Sequence, residues 1–460
     1  MFGVPLGAAL TDVVVIDLIN GQGRWGMVKY CRRLLAQCWL RHRKAFRPPL
    51  PPAVPSDKIL VTWRSSSSRI SELVMPVVQA LEPERCIVLY EKDDVVAHIP
   101  RGADCLKYTS VVPHEPDIWA PEFRRCWPTW KAALKAVCRQ FGLPIGVYQR
   151  LALELVQASQ FFVGCRQFLQ AIRPAAILTE YDRGSRWACL VLAARSLAIP
   201  TFTLQHGVLN DNAIGYVPVL ADRMFCWGEL ARAEFVRGGV SLDRLLIGGC
   251  PRLERSLTVN TREARLKLGL DPATPVVMLA TAPYAESERT HLVEIFATCM
   301  DRLADVAGVV RLHPSEDLET YENLARRHAQ LHFFDNRDST LDEALAAADV
   351  IVVHNSGIGS DAIVKGRLTI VVDLPSVPLG HGTDLVEHAH CPCVQTAEEL
   401  LTAVRSLLFD GTAQERHRST ADCFVGRFCA YFGHESARKI ADTVLESIHS
   451  GTPASSGASR

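Results

Sequence analysis

Small polar residues follow a fully apolar segment in the stretch VVHNSGIGSDAIVKG, residues 352–366. Val350 to Val353 is typical of a strand buried on both faces, and Ser356, Gly357 and Ser360 come where the next helix should begin. Free backbone amides, hydroxyl groups and the helix dipole at such a position can bind an anion. The alternative is an ordinary turn in which Ser356 or Ser360 caps the helix.

A second loop of this kind ends the predicted strand Val309 to Leu312. His313 and the rigid Pro314 come first, and Ser315 and Glu316 follow. An imidazole here can hydrogen-bond a phosphate and, when protonated, neutralise a leaving group. A lone histidine at a strand end is more often structural, but two such loops at one edge of a parallel sheet predict a shared anion site. The predicted donor-binding residues are His313, Pro314, Ser315, Glu316, Asn355, Ser356, Gly357, Ser360 and Thr281.

Two loops in the first half of the chain should form the opposite wall of a cleft. One loop follows the predicted strand Ala175 to Thr179, and the other follows Thr201 to Leu204. A carboxylate or imidazole in these loops could deprotonate an acceptor hydroxyl across the cleft. A helix cap or an ion pair with a nearby arginine is the alternative for either carboxylate. The predicted catalytic residues are Asp182, Glu180, His206 and His313, and the predicted acceptor-side residues are Gln205, Gly207 and Arg183.

Alternating strand and helix patterns must position these loops. The pattern runs through residues 58–253 and again through 254–433, which predicts an α/β fold of two tandem, doubly wound, Rossmann-like domains that face a cleft. The Pro- and Trp-rich segment 99–150 fits no prediction. A helix at 434–449 could cross back onto the first domain, and 450–460 is predicted to be disordered.

Composition describes a globular protein with one unusual end. The 460 residues are 48% hydrophobic and carry zero net charge, so no general field would recruit nucleic acid. Residues 18–56 contain no acidic residue, while 24–47 hold eight Lys and Arg in part of a basic amphipathic helix, followed by a Pro-rich linker. Segment 1–57 is therefore a predicted extension. Its basic helix could contact the inner membrane surface or pack on the protein body.

The fifteen cysteines are scattered and include no Cys-x-x-Cys pair. This pattern predicts buried thiols in a reducing, cytoplasmic compartment and no bound metal.

Residues 175 to 375 resemble the GT-B glycosyltransferases of bacterial surface-polysaccharide synthesis. The motifs LQHG, IGGCPRLE, VRLHPSED and ADVIVVHNSGIGSDAIVKGRLTIVVD carry the resemblance, which is to the Kdo-transferase, polysialyltransferase and CDP-glycerol transferase types. In those families the His-Pro and Ser motifs hold the nucleotide phosphate, which would assign His313, Pro314, Ser356 and Ser360. A carboxylate or histidine of the first domain would be the base.

The resemblance implies transfer of a sugar from a nucleotide-activated donor to a glycan or lipid-linked acceptor. The expected donor is CMP-linked, such as CMP-Kdo or CMP-sialic acid. No metal cofactor is expected, and no Asp-x-Asp motif occurs. Two alternatives stay open, namely a UDP-sugar 2-epimerase of the same fold and a non-catalytic protein that binds nucleotide or glycan in an assembly complex.

Overall fold

The computed structural model describes residues 57–112, 116–140, 142, 145–209 and 215–449. The predicted N-terminal extension with its basic segment, up to residue 56, and the predicted tail from 450 lie outside the described residues. No described helix is both long and apolar enough to cross a membrane.

Two fully parallel sheets form the centre of the molecule. The first contains β1 (Ile59–Trp63), β2 (Cys86–Tyr90), β3 (Asp104–Lys107), β4 (Ala176–Thr179), β5 (Thr201–Leu204), β6 (Arg223–Cys226) and β7 (Leu245–Ile247), in the order β3-β2-β1-β4-β5-β6-β7. The second contains β8 (Val276–Ala280), β9 (Ala307–Arg311), β10 (Leu331–Phe334), β11 (Val350–Val353), β12 (Leu368–Val372) and β13 (Cys393–Val394), in the order β10-β9-β8-β11-β12-β13.

The helices connect these strands. They are α1 (Ser68–Ala80), α2 (Tyr108–Val111), α3 (Pro116–Gln140), α4 (Ile145–Ile172), α5 (Gly184–Ser196), α6 (Glu229–Arg237), α7 (Thr261–Lys267), α8 (Glu286–Met300), α9 (Leu318–Arg327), α10 (Leu341–Ala347), α11 (Ile358–Val364), α12 (Gly382–Glu387), α13 (Ala397–Phe409), α14 (Gly411–Phe428) and α15 (Gly433–His449). Short 3-10 turns occupy Pro83–Arg85, Asp93–His98 and Leu242–Arg244.

Both faces of each sheet are buried, as their apolar strands predict. In β1, Leu60 joins one apolar cluster, whereas Ile59 and Val61 join another on the opposite face. In β8, Met278 and Leu279 likewise belong to different clusters. Because side chains alternate along a strand, helices must cover both faces. The predicted fold of two doubly wound α/β units is therefore confirmed.

Segment 99–150, which fits no prediction from the sequence, contains the edge strand β3, the helix α3 and the start of α4. β3 extends the first sheet beside β2, and α4 packs against both α3 and α5. Periodicity was a poor guide because α3 contains two internal prolines and α4 buries side chains such as Leu155 and Cys165 around much of its circumference.

The last helix returns to the first sheet. Ile440 and Val444 of α15 belong to the same apolar cluster as Val61 and Val77. The chain crosses at Gly249, which has φ 76° and lies against the carbonyl of Tyr431. A side chain at residue 249 would meet that carbonyl, so the crossing requires glycine.

Candidate active site between the two sheets

A cavity of about 480 Å³ lies where the carboxyl edges of the two sheets face each other. Residues after β1, β5 and β7 form one wall, and residues after β8 to β11 form the other. The complete lining is Arg69, Glu72, Val208, Arg252, Ala280, Thr281, Arg311, Leu312, His313, Pro314, Asn336, Ser339, Thr340, Leu341, Ser356, Gly357, Ile358 and Asp361. This is the edge at which ligands bind in open parallel sheets.

The two predicted anion-binding loops meet in this cavity. His313 and Pro314 follow β9, Ser356 and Gly357 follow β11, and all four line the same space. The strand between them in the sheet, β8, contributes Thr281. Their spatial convergence is thus a property of the fold, whereas their binding of phosphate stays a prediction.

The His313 ring is arranged as a neutral donor. Its Nδ1 accepts a hydrogen bond from the backbone N–H of Ser315 at 3.2 Å and lies 2.8 Å from the Ser315 hydroxyl. An Nδ1 that accepts from an amide leaves the proton on Nε2. Burial and the charges of Arg311 and Arg69 also lower the pKa of His313. Near neutral pH the ring therefore offers one N–H donor and no positive charge. The sequence alone is also compatible with a protonated ring that neutralises a leaving group.

Thr281 and Glu316 support the His313 loop. The Thr281 hydroxyl accepts a hydrogen bond from the His313 amide at 2.9 Å and donates one to Glu316 at 2.6 Å. Tyr321 donates to the other Glu316 oxygen at 2.9 Å. Glu316 and Ser315 do not line the cavity, so their observed contacts position His313.

Ser360 and Asn355 are also set back from the cavity lining. Helix α11 begins at Ile358, which places Ser360 in its first turn with a fully buried side chain. The Asn355 side chain accepts a hydrogen bond from the His381 amide at 2.9 Å. Asn355 therefore holds the loop before α12, and neither residue reaches the cavity lining.

The two carboxylates predicted as bases are occupied elsewhere. Glu180 accepts from the Thr62 hydroxyl at 2.5 Å and the Arg64 amide at 2.8 Å. One oxygen of Asp182 accepts from the amides of Leu220 and Ala221 at 2.6 and 2.9 Å. Both side chains are buried outside the cavity lining. Their hydrogen bonds join separate loops of the first sheet, an arrangement that does not favour the predicted role as base.

Burial raises the pKa of both carboxyl groups. For Glu180, the Arg64 guanidinium 3.9 Å away and the Thr62 hydroxyl oppose this rise. For Asp182, burial outweighs the hydrogen bonds from residues 220 and 221 and raises the pKa to about 6.

The other predicted first-wall residues support the cavity from behind. His206 packs between the rings of Tyr181 and Tyr216, with centroids 5.5 and 4.7 Å away. Burial, with Arg64 and Arg69, lowers its pKa to about 3, so it is a weak base. Neither His206 nor the three predicted acceptor-side residues, Gln205, Gly207 and Arg183, line the cavity.

Those three residues have structural contacts. Gln205 accepts from the Trp227 amide at 2.8 Å and donates to the Gly207 carbonyl at 2.9 Å. Arg183 donates to the Val217 carbonyl.

The cavity contains five charged residues that the sequence interpretation did not assign. Arg252, Arg311 and Asp361 lie within the motifs quoted above, but only other residues of those motifs were predicted as site residues. Arg69 and Glu72 are the only charged residues of α1, and both face the cavity. Two charged residues isolated in the first two turns of a helix that follows a central strand were the available signal.

Charges in the cavity influence one another. Burial raises the pKa of Glu72, with Arg252 acting in the opposite direction. Burial and the charge of Arg252 lower the pKa of Arg69. Burial disfavours the charged form of Arg252. The attraction of the Asp361 carboxylate outweighs this effect and raises the pKa of Arg252.

Four buried polar atoms of cavity-lining residues have no hydrogen-bond partner among the described residues. They are Nε of Arg252, Nε of Arg311, Oγ of Ser339 and Oδ1 of Asp361. Leaving such atoms unpaired costs roughly 1–3 kcal/mol each. A polar ligand could supply their partners. No cluster of three or more potential metal ligands occurs in the described part of the chain.

No family model matches the chain, and no curated protein matches it. Solved structures match at low identity. A Listeria monocytogenes protein assigned as a UDP-N-acetylglucosamine 2-epimerase is 13% identical, with a TM-score of 0.55 over 86% of this chain and 97% of its own. Anabaena HepE in complex with UDP-glucose is 13% identical, with a TM-score of 0.52 over 85% and 99%. A glycosyltransferase from Rickettsia africae is 12% identical, with a TM-score of 0.51 over 86% and 100%. These likenesses establish a shared GT-B-like fold.

Proposed function

We propose that the protein binds a UDP-linked sugar in the interdomain cavity and breaks the bond between the sugar C1 and the diphosphate. The observation that carries this proposal is the cavity's lining of three arginines and His313, with a buried guanidinium nitrogen and hydroxyl that have no described partner. Arginine forks suit phosphate oxygens. The volume of about 480 Å³ lies within the range of small-ligand sites.

Uridine is preferred to cytidine in this proposal. The sequence favoured a CMP-linked donor, but solved structures of the same fold include a protein with bound UDP-glucose and proteins described as UDP-N-acetylglucosamine 2-epimerases. We therefore expect UDP to bind more tightly than CMP, CDP or GDP in calorimetric titrations. Tighter binding of CMP than of UDP would favour a CMP-linked donor instead.

The lining residues divide the chemical work. When the C1–O bond breaks, its electron pair remains on the diphosphate, where Arg252, Arg69 and the neutral His313 N–H stabilise the charge. Glu72 is the cavity carboxylate without an ion pair among the described residues, and burial raises its pKa. These properties suit a general base. The absence of a metal requirement stays a prediction, which activity in EDTA will check.

Epimerisation at C2 is the reaction that the structural neighbours favour. Glu72 would take the C2 proton as UDP leaves, which forms a C1–C2 double bond. Return of UDP to C1 and of a proton to the opposite face of C2 would give the epimer.

Transfer is the second candidate, because it needs only one base and the other cavity carboxylate, Asp361, is paired with Arg252. In that reaction Glu72 would deprotonate an acceptor hydroxyl that attacks C1. The glycan or lipid-linked acceptor and the peripheral membrane contact stay predictions.

Incubation with UDP-N-acetylglucosamine alone distinguishes the reactions. Proton NMR of an epimerase reaction in D2O should show the 2-epimer and deuterium at C2 without any acceptor. A transferase should release UDP only when an acceptor is added. If UDP binds but neither reaction occurs with a panel of UDP-sugars and acceptors, the non-catalytic alternative gains support. If UDP does not bind, the proposal fails.

A further inference from the structure

A second cavity lies at the opposite edge of the second sheet. It measures about 350 Å³, and its lining includes Arg265, Pro275, Asp349, Arg367 and Arg418. Pro275, Asp349 and Arg367 immediately precede β8, β11 and β12, whereas the interdomain cavity lies beyond the other ends of these strands. The two cavities are therefore separated by the length of the sheet.

One of its three arginines makes three hydrogen bonds within the fold. Arg265 donates to the carbonyls of Ala347 and Pro272 at 2.9 and 3.0 Å and to the Asp349 carboxylate at 2.6 Å. The same carboxylate oxygen also accepts from the Val276 amide at 2.7 Å. The single acidic residue of this cavity is thereby committed to Arg265 and the sheet.

The other two arginines lack an acidic partner among the described residues. Arg367 donates from Nη1 to the Ala348 carbonyl at 3.2 Å, but its buried Nε has no partner. Burial lowers the pKa of Arg367, and nearby Arg265 acts in the same direction against the attraction of Asp349. Arg418 on α14 is exposed and contributes a further positive charge to the same cavity. Two guanidinium groups thus line one cavity without a direct ion pair among the described residues.

We propose that this cavity is a second ligand site, which binds a small phosphomonoester between Arg367 and Arg418. A phosphate group carries up to two negative charges and can accept from both guanidinium groups. The volume exceeds that of phosphate alone, and Gln414 beside the arginines offers a polar side chain to the hydroxyl groups of the rest of the molecule. A phosphorylated sugar matches this combination of charge, size and surface.

The ligand would add a further link between two elements that already meet through the His417 ring of α14 and the Thr369 backbone of β12, which lie 3.1 Å apart. Arg367 precedes β12, and Arg418 lies in α14, which leads into the helix α15 that packs on the first sheet. Occupation should therefore stabilise the second sheet against unfolding. This effect would be independent of the nucleotide-sugar cavity and does not rest on the function proposed for it.

Titration of the full chain with glucose 6-phosphate tests the site. A tenfold molar excess of UDP should be present throughout, so that any anion site in the interdomain cavity is occupied. We expect saturable binding, which Arg418→Glu weakens by at least about tenfold because a repulsive charge replaces an attractive one. Inorganic phosphate in a parallel titration should bind more weakly, since it has no sugar hydroxyl groups to contact the rest of the lining.

The matched control is Arg311→Gln, which alters the interdomain cavity and leaves the second cavity intact. This variant should bind glucose 6-phosphate like the wild type. Arg418 is exposed, so the Glu variant should keep the wild-type melting temperature in the absence of ligand. The proposal is overturned if the wild type shows no saturable binding, or if Arg311→Gln rather than Arg418→Glu removes it. Equal affinity for inorganic phosphate would overturn the phosphorylated-sugar assignment.

Discussion

Arg252 and Asp361 form a buried ion pair across the interdomain cavity, with Nη1 and Oδ2 3.5 Å apart. Arg252 follows the last strand of the first sheet, and Asp361 lies in α11 of the second. The guanidinium also lies 5.3 Å from the centroid of the Trp227 ring. The pair therefore links the two halves of the molecule and holds the Arg252 guanidinium in place at the ligand site.

Replacement of Arg252 by Met should both destabilise the protein and weaken nucleotide binding. The change leaves the Asp361 carboxylate buried without its partner, which costs about 3–5 kcal/mol in comparable cases. The double variant Arg252→Met, Asp361→Asn should regain part of this free energy of unfolding, as urea denaturation can measure. UDP affinity should remain at least about tenfold reduced in the double variant. Recovery of wild-type affinity would show that Arg252 does not bind the diphosphate.

Glu72→Gln should reduce turnover of the nucleotide-sugar by roughly 10²–10⁴-fold and leave the Kd for UDP within a few-fold of wild type. The amide keeps the size of the side chain but cannot accept a proton. Because burial raises the pKa of Glu72, kcat/KM should fall with decreasing pH through a value above the ordinary range of glutamate. Asp182→Asn is the matched control and should stay active. The opposite result for the two variants would return the base to Asp182.

Sequence reasoning predicted the second wall of the cavity better than the first. His313 and Ser356 follow strands of one parallel sheet, so regular topology alone brings their loops to one edge. In the first wall, the strand ends were located, but the predicted side chains lie outside the cavity lining. Asp182 instead accepts hydrogen bonds from amides 38 and 39 residues later in the chain. No local sequence pattern predicts this pairing.

The cavity charge of the first wall comes instead from Arg69 and Glu72 on α1 and from Arg252 after β7. Which side of that helix faces the cleft depends on how the two sheets are arranged relative to each other. A helical pattern alone does not contain this information.

Gly207→Ala should weaken UDP binding indirectly by displacing Arg69. A Cβ at residue 207 would overlap Nη2 of Arg69 and lie 3.1 Å from its Cζ. The end of an arginine side chain can move at little cost, so the fold should persist while the guanidinium leaves its position. The affinity for UDP should fall by about the same factor as in Arg69→Ala, and the two changes should not add in the double variant. Additive losses measured by calorimetry would contradict this mechanism.

Asp182→Asn should remove one source of pH-dependent stability. Burial raises the pKa of this carboxyl from 3.8 to about 6, so the folded state binds more protons than the unfolded state between these values. The free energy of unfolding of the wild type should therefore fall as the pH rises from about 4 to 6, by up to roughly 3 kcal/mol from this group.

The Asn side chain of Asp182→Asn keeps an oxygen that can accept from the amides of Leu220 and Ala221 but carries no charge. Urea denaturation at pH values across this interval should show a smaller fall for the variant and a higher stability than wild type above pH 6. Asp182→Ala, which leaves both amides without that acceptor, should be about 2–4 kcal/mol less stable than Asp182→Asn at every pH. Equal pH dependence in wild type and Asp182→Asn would mean that the buried carboxyl is not the titrating group.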